Sequence, residues 1–204
     1  MNQIAFDFSI AKPCAVVFEN NNYHFYLWPK DINSKYENLF ESYDVNIIKR
    51  VNIENKDIVK YDIINSDILS DLIINSLHSF LNKDTIIAFE GSSFASHGNV
   101  TLSLTAWRYI LIYKLSKIIS LNNIFTFSPI TIKSIAGCAK KGMGKKEMIN
   151  AFIKNGPNCK LYFTLCENSN LFMKKGGKTY VDFLDDLCDA YWTLKTLIVK
   201  EKLS

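Results

Sequence analysis

The sequence predicts a single α/β domain over residues 1–204, built on a mixed sheet with helices packed on its faces. Three short strand-like stretches open the chain, and apolar stretches then alternate with segments of helical periodicity. Neither an internal repeat nor a linker interrupts this order. The length of 204 residues, with 48% hydrophobic and 22% charged residues, suits one globular domain with a sizeable core.

The first half of the chain begins with strands. They are predicted at 3–8 (QIAFDF), 14–19 (CAVVFE) and 22–28 (NYHFYLW). Asparagines at 20–22 tolerate the left-handed backbone of a tight turn. The polar segment 31–45 is expected to be a loop or an insertion, and 46–54 a further strand. Isoleucine and leucine near a 3.6-residue period then predict a helix over 56–82.

The second half alternates strands with helices. Strands are predicted at 84–90 (DTIIAFE) and 123–128 (NIFTFS), and helices at 99–120, 145–155, 160–173 and 180–200. The apolar run of the first strand is typical of a strand buried on both faces.

Composition excludes several classes of protein. A net charge of +4 permits nucleic-acid binding without requiring it. The five cysteines form no C-x-x-C pair and the three histidines lie far apart, so we expect reduced thiols in the cytoplasm and no zinc site. We find no signal peptide and no run long enough to cross a membrane.

Acidic residues stand where strands should be apolar. Asp7 interrupts AFDFS, and Glu90 ends TIIAFE. A carboxylate is depleted in strands and costly to bury alone, so a cation, hydrogen bonds or a metal ion should compensate each one. The alternative is that both are strand-end charges that face water.

The segment DFLDDLCDAYW places four aspartates on one predicted helix. Thr179 and Asp182 resemble a capping box, so Asp182 and also Asp185 are expected to start the helix and face solvent. Asp186 and Asp189 lie beside a small alanine, where the helix could approach the sheet.

Carboxylates from separate elements repel one another unless cations neutralise them. Mg²⁺ and Mn²⁺ prefer such oxygen ligands, and two of these ions can activate water at a phosphodiester. The acids therefore predict a metal-dependent site that acts on phosphodiesters.

Four segments together resemble the RuvC family of Holliday junction resolvases. They are AFDFSIAKPCAVVF, FEGSSF, SPITIKSIAGCAKKGMGKKEM and DDLCDAY, and they follow the family's order through nearly the whole chain. The resemblance implies a ribonuclease H-like fold with a central mixed five-stranded sheet flanked by helices on both faces. Departures include Lys12-Pro13 after the first strand and a longer loop at 137–144.

The resemblance also implies roles for particular residues. Asp7, Glu90, Asp186 and Asp189 would ligate two Mg²⁺ ions, for which Mn²⁺ is expected to substitute. Lys133 and either Lys145 or Lys146 would stand near the scissile phosphate. Phe94 would push against bases at the junction centre, although it follows the glutamate one residue later than in the family.

Further basic residues are expected to contact DNA. Lys140 and Lys141 lie in GCAKKGMGKK, which fails as a P-loop because Ala139 replaces the first glycine. A loop touching phosphates is the preferred interpretation, with a solvated turn as the alternative. Lys12 is assigned to the same DNA-binding set.

The leading functional hypothesis is an Mg²⁺-dependent endonuclease that resolves four-way DNA junctions by paired nicks. The resemblance implies a homodimer formed through the long helix, where Trp107, Tyr109, Ile110 and Tyr113 would serve the interface or else the core. One alternative is a nuclease of this fold that prefers flaps, forks or RNA–DNA hybrids. The other is a non-catalytic nucleic-acid-binding member.

Overall fold

A sheet of six strands forms the centre of the structure, a computed structural model that describes residues 1–91, 99–174, 176–177 and 179–202. The strands are β1 (Gln3–Asp7), β2 (Cys14–Glu19), β3 (Asn22–Leu27), β4 (Val45–Ile47), β5 (Ile86–Glu90) and β6 (Ile124–Phe127). Their order across the sheet is β4-β3-β2-β1-β5-β6. The five strands that the resemblance implied are therefore one short. The strand predicted at 46–54 is present only as the three-residue β4 at the edge of the sheet.

The sheet is mixed, as predicted. β1 pairs antiparallel with β2, and β2 pairs antiparallel with β3. The pairs β1–β5, β5–β6 and β3–β4 are parallel. Asn20 and Asn21 make the turn between β2 and β3 with φ of 49° and 65°, which is the left-handed backbone that asparagine tolerates.

Helices cover both faces of the sheet. They are α1 (Ser34–Glu41), α2 (Ile58–Ser76), α3 (Asn99–Leu115), α4 (Pro129–Ile135), α5 (Lys145–Asn155), α6 (Lys160–Asn168) and α7 (Asp182–Glu201). α2 and α3 close one hydrophobic core, and α7 with the other helices closes the core on the opposite face. The prediction of helices on both faces is confirmed.

Two helices lie where none was predicted. The expected loop at 31–45 contains α1, whose first turn is capped by Asn33 and which buries only Phe40. The polar composition of the segment hid an apolar face, because Tyr36, Leu39 and Phe40 follow the i, i+3, i+4 spacing of a helix and pack against the core. The second, α4, starts at Pro129 after the N-cap Ser128, whose side chain accepts a hydrogen bond from the Thr131 N–H.

Small residues bring α7 onto the centre of the sheet. Ala5 of β1 lies beside Ala88 of β5, and both belong to the core that α7 closes. Ala190 of α7 is fully buried in the same core. Since side chains alternate between the faces of a strand, Asp7 and Glu90 point to this same face, two residues beyond the alanines.

Candidate active site

The candidate site begins at the ends of two central strands. β1 and β5 run parallel, with Phe6 beside Phe89. The next residue of each strand is acidic, so Asp7 and Glu90 reach the same edge of the sheet next to each other. The carboxyl ends of strands in such sheets form the crevice where ligands bind.

Helix α7 adds two more carboxylates. Asp186 and Asp189 line the same cleft as Asp7 and Glu90, and the cleft encloses about 360 Å³. Three separate elements thus bring together the four acids that the sequence predicted as a set.

The start of α7 differs from the prediction in two respects. Its N-cap is Val181 and makes no side-chain capping bond, so the capping box with Thr179 is wrong. Asp182 is exposed as expected, with its Oδ1 2.6 Å from Lys174 Nζ. Asp185 does not face solvent, since it is 8% exposed and its Oδ2 lies 3.4 Å from Lys145 Nζ. A basic helix, α5, covers the side of α7 that the isolated helix would leave in water.

Burial and mutual repulsion disfavour the charged forms of these acids. Burial, followed by the negative charges of Asp186, Asp189 and Glu90, raises the pKa of Asp7 well above its usual range. Burial and then the charge of Glu90 raise the pKa of Asp189 to about 7. The cleft therefore holds more negative charge than its own surroundings compensate.

Lysines offset part of this charge. Burial raises the pKa of Glu90, and the positive charges of Lys133 and Lys145 counteract that rise. Lys145 lines the carboxylate cleft, whereas Lys146 lines a neighbouring pocket with Lys174 and Tyr180. The sequence left the choice between Lys145 and Lys146 open, and the geometry brings Lys145 to the acids.

The remaining predicted DNA-binding lysines differ in position. Lys140 and Lys141 are exposed in the turn between α4 and α5, where Gly137 and Gly142 have φ of 74° and 88°. Lys12 is partly exposed, and its Nζ lies 2.8 Å from Asp186 Oδ2.

Sequence reasoning missed Arg108. Its side chain lines the cleft from α3, and its Nη1 donates a 2.8 Å hydrogen bond to the Glu90 carbonyl oxygen. It is one of the few polar side chains buried in the structure. The available signal was a lone arginine within the otherwise uncharged run TLSLTAWRYILIY.

The donor set matches a hard divalent cation in its chemistry. Carboxylate oxygens are the ligands that Mg²⁺ and Mn²⁺ prefer, and the excess negative charge of the cleft attracts cations. Among the described residues, no three acidic, histidine or cysteine side chains are grouped tightly enough to hold an ion as they stand.

The aromatic residues predicted for function divide into three cases. Phe94 lies outside the described residues. Trp107 is fully buried and donates a 2.8 Å hydrogen bond to Asp62, so it belongs to the core. Tyr109 and Tyr113 on the same helix are 59% and 63% exposed.

Two further expectations can be compared with the structure. All five cysteines are free thiols. In the described part of the chain, no helix combines the length and apolarity that a membrane crossing requires.

No protein-family model matches the sequence, and no curated protein sequence does either. Solved structures do match. RuvC of Thermus thermophilus aligns with a TM-score of 0.52 and 11% identity over 98% of this chain and 97% of that one. T. thermophilus RuvC in complex with Holliday junction substrate aligns with a TM-score of 0.50 and 10% identity over 98% of this chain and 96% of that one.

The yeast mitochondrial Holliday junction resolvase Ydc2 gives a TM-score of 0.52 and 13% identity over 95% of this chain and 76% of that one. At such low identity, the similarity concerns the path of the chain rather than its chemistry. The chain therefore has the ribonuclease H-like fold of the RuvC-type resolvases.

Proposed function

We propose that the protein is a metal-dependent DNA endonuclease that resolves four-way junctions by paired nicks. One observation carries the proposal: four carboxylates from β1, β5 and α7 line a single cleft. The fold adds support, because two similar proteins are described by their names as a resolvase or as bound to a Holliday junction.

The four acids are the proposed metal ligands. Asp7, Glu90, Asp186 and Asp189 would hold two Mg²⁺ ions, with Mn²⁺ as a substitute. Such ions supply an activated water and stabilise the leaving oxygen at a phosphodiester. The raised pKa values of Asp7 and Asp189 support this assignment, because nearby cations would restore the charged carboxylates.

Cations of the chain itself would hold the scissile strand. Lys145 and Arg108 line the carboxylate cleft, and the charge of Lys133 reaches Glu90. They would bind phosphate oxygens and help to align the phosphodiester with the acids. Lys140, Lys141 and Lys146 would bind phosphates farther along the strand, which makes affinity salt-dependent.

We further propose a homodimer that acts in a reducing compartment, the cytoplasm. A four-way junction has approximate two-fold symmetry, so a C₂ dimer would present one active site to each of two opposed strands. The exposed Leu102, Tyr109 and Tyr113 on α3 supply an apolar surface for that interface. Phe94 keeps its proposed role at the junction centre on resemblance alone.

Comparative cleavage tests the substrate class. Synthetic four-way junctions, flaps, forks, RNA–DNA hybrids and linear duplexes of matched sequence are incubated with the protein in Mg²⁺. We expect symmetric paired nicks in the junction and slower cleavage of the others. Preferential cleavage of flaps or hybrids would assign a different nuclease of this fold. Junction binding without cleavage in Mg²⁺ or Mn²⁺ would indicate a non-catalytic binding protein.

A further inference from the structure

Lys12 reaches one of the four carboxylates of the candidate site. Its Nζ lies 2.8 Å from Asp186 Oδ2 and 5.4 Å from the centre of the Phe183 ring. Asp186 is only 6% exposed, whereas the Lys12 side chain is 26% exposed, so the ion pair is shielded from water mainly on its carboxylate side. Shielding strengthens the attraction relative to a surface pair.

The loop that carries Lys12 is fixed at both ends and in its middle. Three hydrogen bonds tie its carbonyl oxygens to neighbouring segments: Arg50 Nη2 donates to Ile10, Lys30 N–H donates to Ala11 at 2.9 Å, and Trp28 N–H donates to Pro13 at 2.9 Å. Within the loop, Lys12 N–H donates to Ser9 Oγ at 3.1 Å. The Arg50 guanidinium is itself buried, with Arg50 5% exposed. The backbone therefore presents the lysine to Asp186 and limits the entropy lost in forming the pair.

We propose that Lys12 is an internal counter-ion that competes with divalent metal for Asp186. The inference rests on the proposed function, because it takes Asp186 as a metal ligand. An ammonium and a divalent cation at one carboxylate oxygen repel each other. When metal binds, Lys12 must therefore move away from Asp186, or stay beside it and weaken metal binding through this repulsion.

Two opposite effects follow from this competition. Without metal, Lys12 neutralises a buried carboxylate and stabilises the fold. With metal, the same lysine weakens binding, so it sets the metal concentration at which the site fills. Removing the charge should therefore lower stability in EDTA and raise affinity for Mg²⁺.

Calorimetric titration with Mg²⁺ and Mn²⁺, together with thermal melts in EDTA, separates these effects. Lys12→Met removes the charge and keeps the stem over Phe183, and Lys12→Gln serves if that variant fails to fold. Lys12→Arg keeps the charge. Lys49→Met is the matched control, because Lys49 forms a 2.7 Å pair with Glu37, which does not line the cleft.

We expect Lys12→Met to bind Mg²⁺ about fivefold tighter or more and to melt at a lower temperature in EDTA. Lys12→Arg and Lys49→Met should bind Mg²⁺ as the wild type does. Unchanged or weaker Mg²⁺ affinity in both uncharged variants, beside normal binding by the wild type, overturns the role of Lys12 alone. If neither wild type nor any Lys12 variant binds either ion, the proposed metal chemistry fails, and this inference fails with it.

Discussion

Asp189→Asn should stabilise the metal-free protein while abolishing the proposed metal-dependent cleavage. Asp189 lines the cleft with three other carboxylates, and burial followed by the charge of Glu90 raises its pKa to about 7. The native state thus binds this proton more tightly than the unfolded chain does. The free energy of unfolding that Asp189 contributes is complete at low pH and is lost as pH rises towards and through 7.

The size of the effect follows from the pKa shift. A rise from 3.8 to about 7 corresponds to about 4 kcal/mol as an upper bound. Because water reaches the cleft and charged side chains relax, we expect about 1–3 kcal/mol. Asparagine carries no charge at any pH. The free energy of unfolding of the variant should therefore exceed that of the wild type by this amount at pH 8, and by much less at pH 4.

Urea denaturation in EDTA at pH 4 and pH 8 measures the difference. Asp182→Asn is the matched control on the same helix, because a hydrogen bond from Lys174 lowers the pKa of Asp182. This substitution should slightly lower the free energy of unfolding at pH 8. The reasoning is refuted if Asp189→Asn is no more stable than the wild type at pH 8, or if its gain is the same at both pH values.

Three further outcomes are expected. Lys145→Met should slow junction cleavage in gel assays more than Lys146→Met does, because only Lys145 lines the carboxylate cleft. Tyr113→Glu should shift a dimer to monomer in sedimentation while leaving the circular dichroism spectrum unchanged, since the side chain is exposed. Ala88→Leu should lower the free energy of unfolding in urea by about 1–3 kcal/mol, because it overpacks the contact between α7 and the sheet. Equal effects of the two lysines, an unchanged dimer, or a neutral Ala88→Leu would contradict the respective assignment.

The location of the four acids could be predicted from the sequence where local pattern and tertiary position agree. Asp7 and Glu90 each end an apolar strand, and that pattern alone indicates a charge at a sheet edge. Asp186 and Asp189 share a helix face by spacing, and the neighbouring Ala190 indicated a close approach to the sheet. Most strands and long helices followed from apolar periodicity in the same way.

Other features depend on contacts that a single segment does not encode. Asp185 was expected in solvent because its helix was considered alone, whereas Lys145 of α5 covers it. Arg108 is buried because the end of β5 offers it a carbonyl oxygen. The contact of Lys12 with Asp186 depends on the loop after β1, which its own segment of sequence does not reveal.

Cleavage of a synthetic four-way junction by Asp7→Asn tests the central claim most directly. Asp7 ends β1 inside the carboxylate cleft, so the variant keeps the shape of the side chain and removes one negative charge from the proposed metal site. The account predicts that Mg²⁺-dependent nicking falls to background while junction binding in a gel-shift assay is preserved. Nicking at the wild-type rate would contradict it.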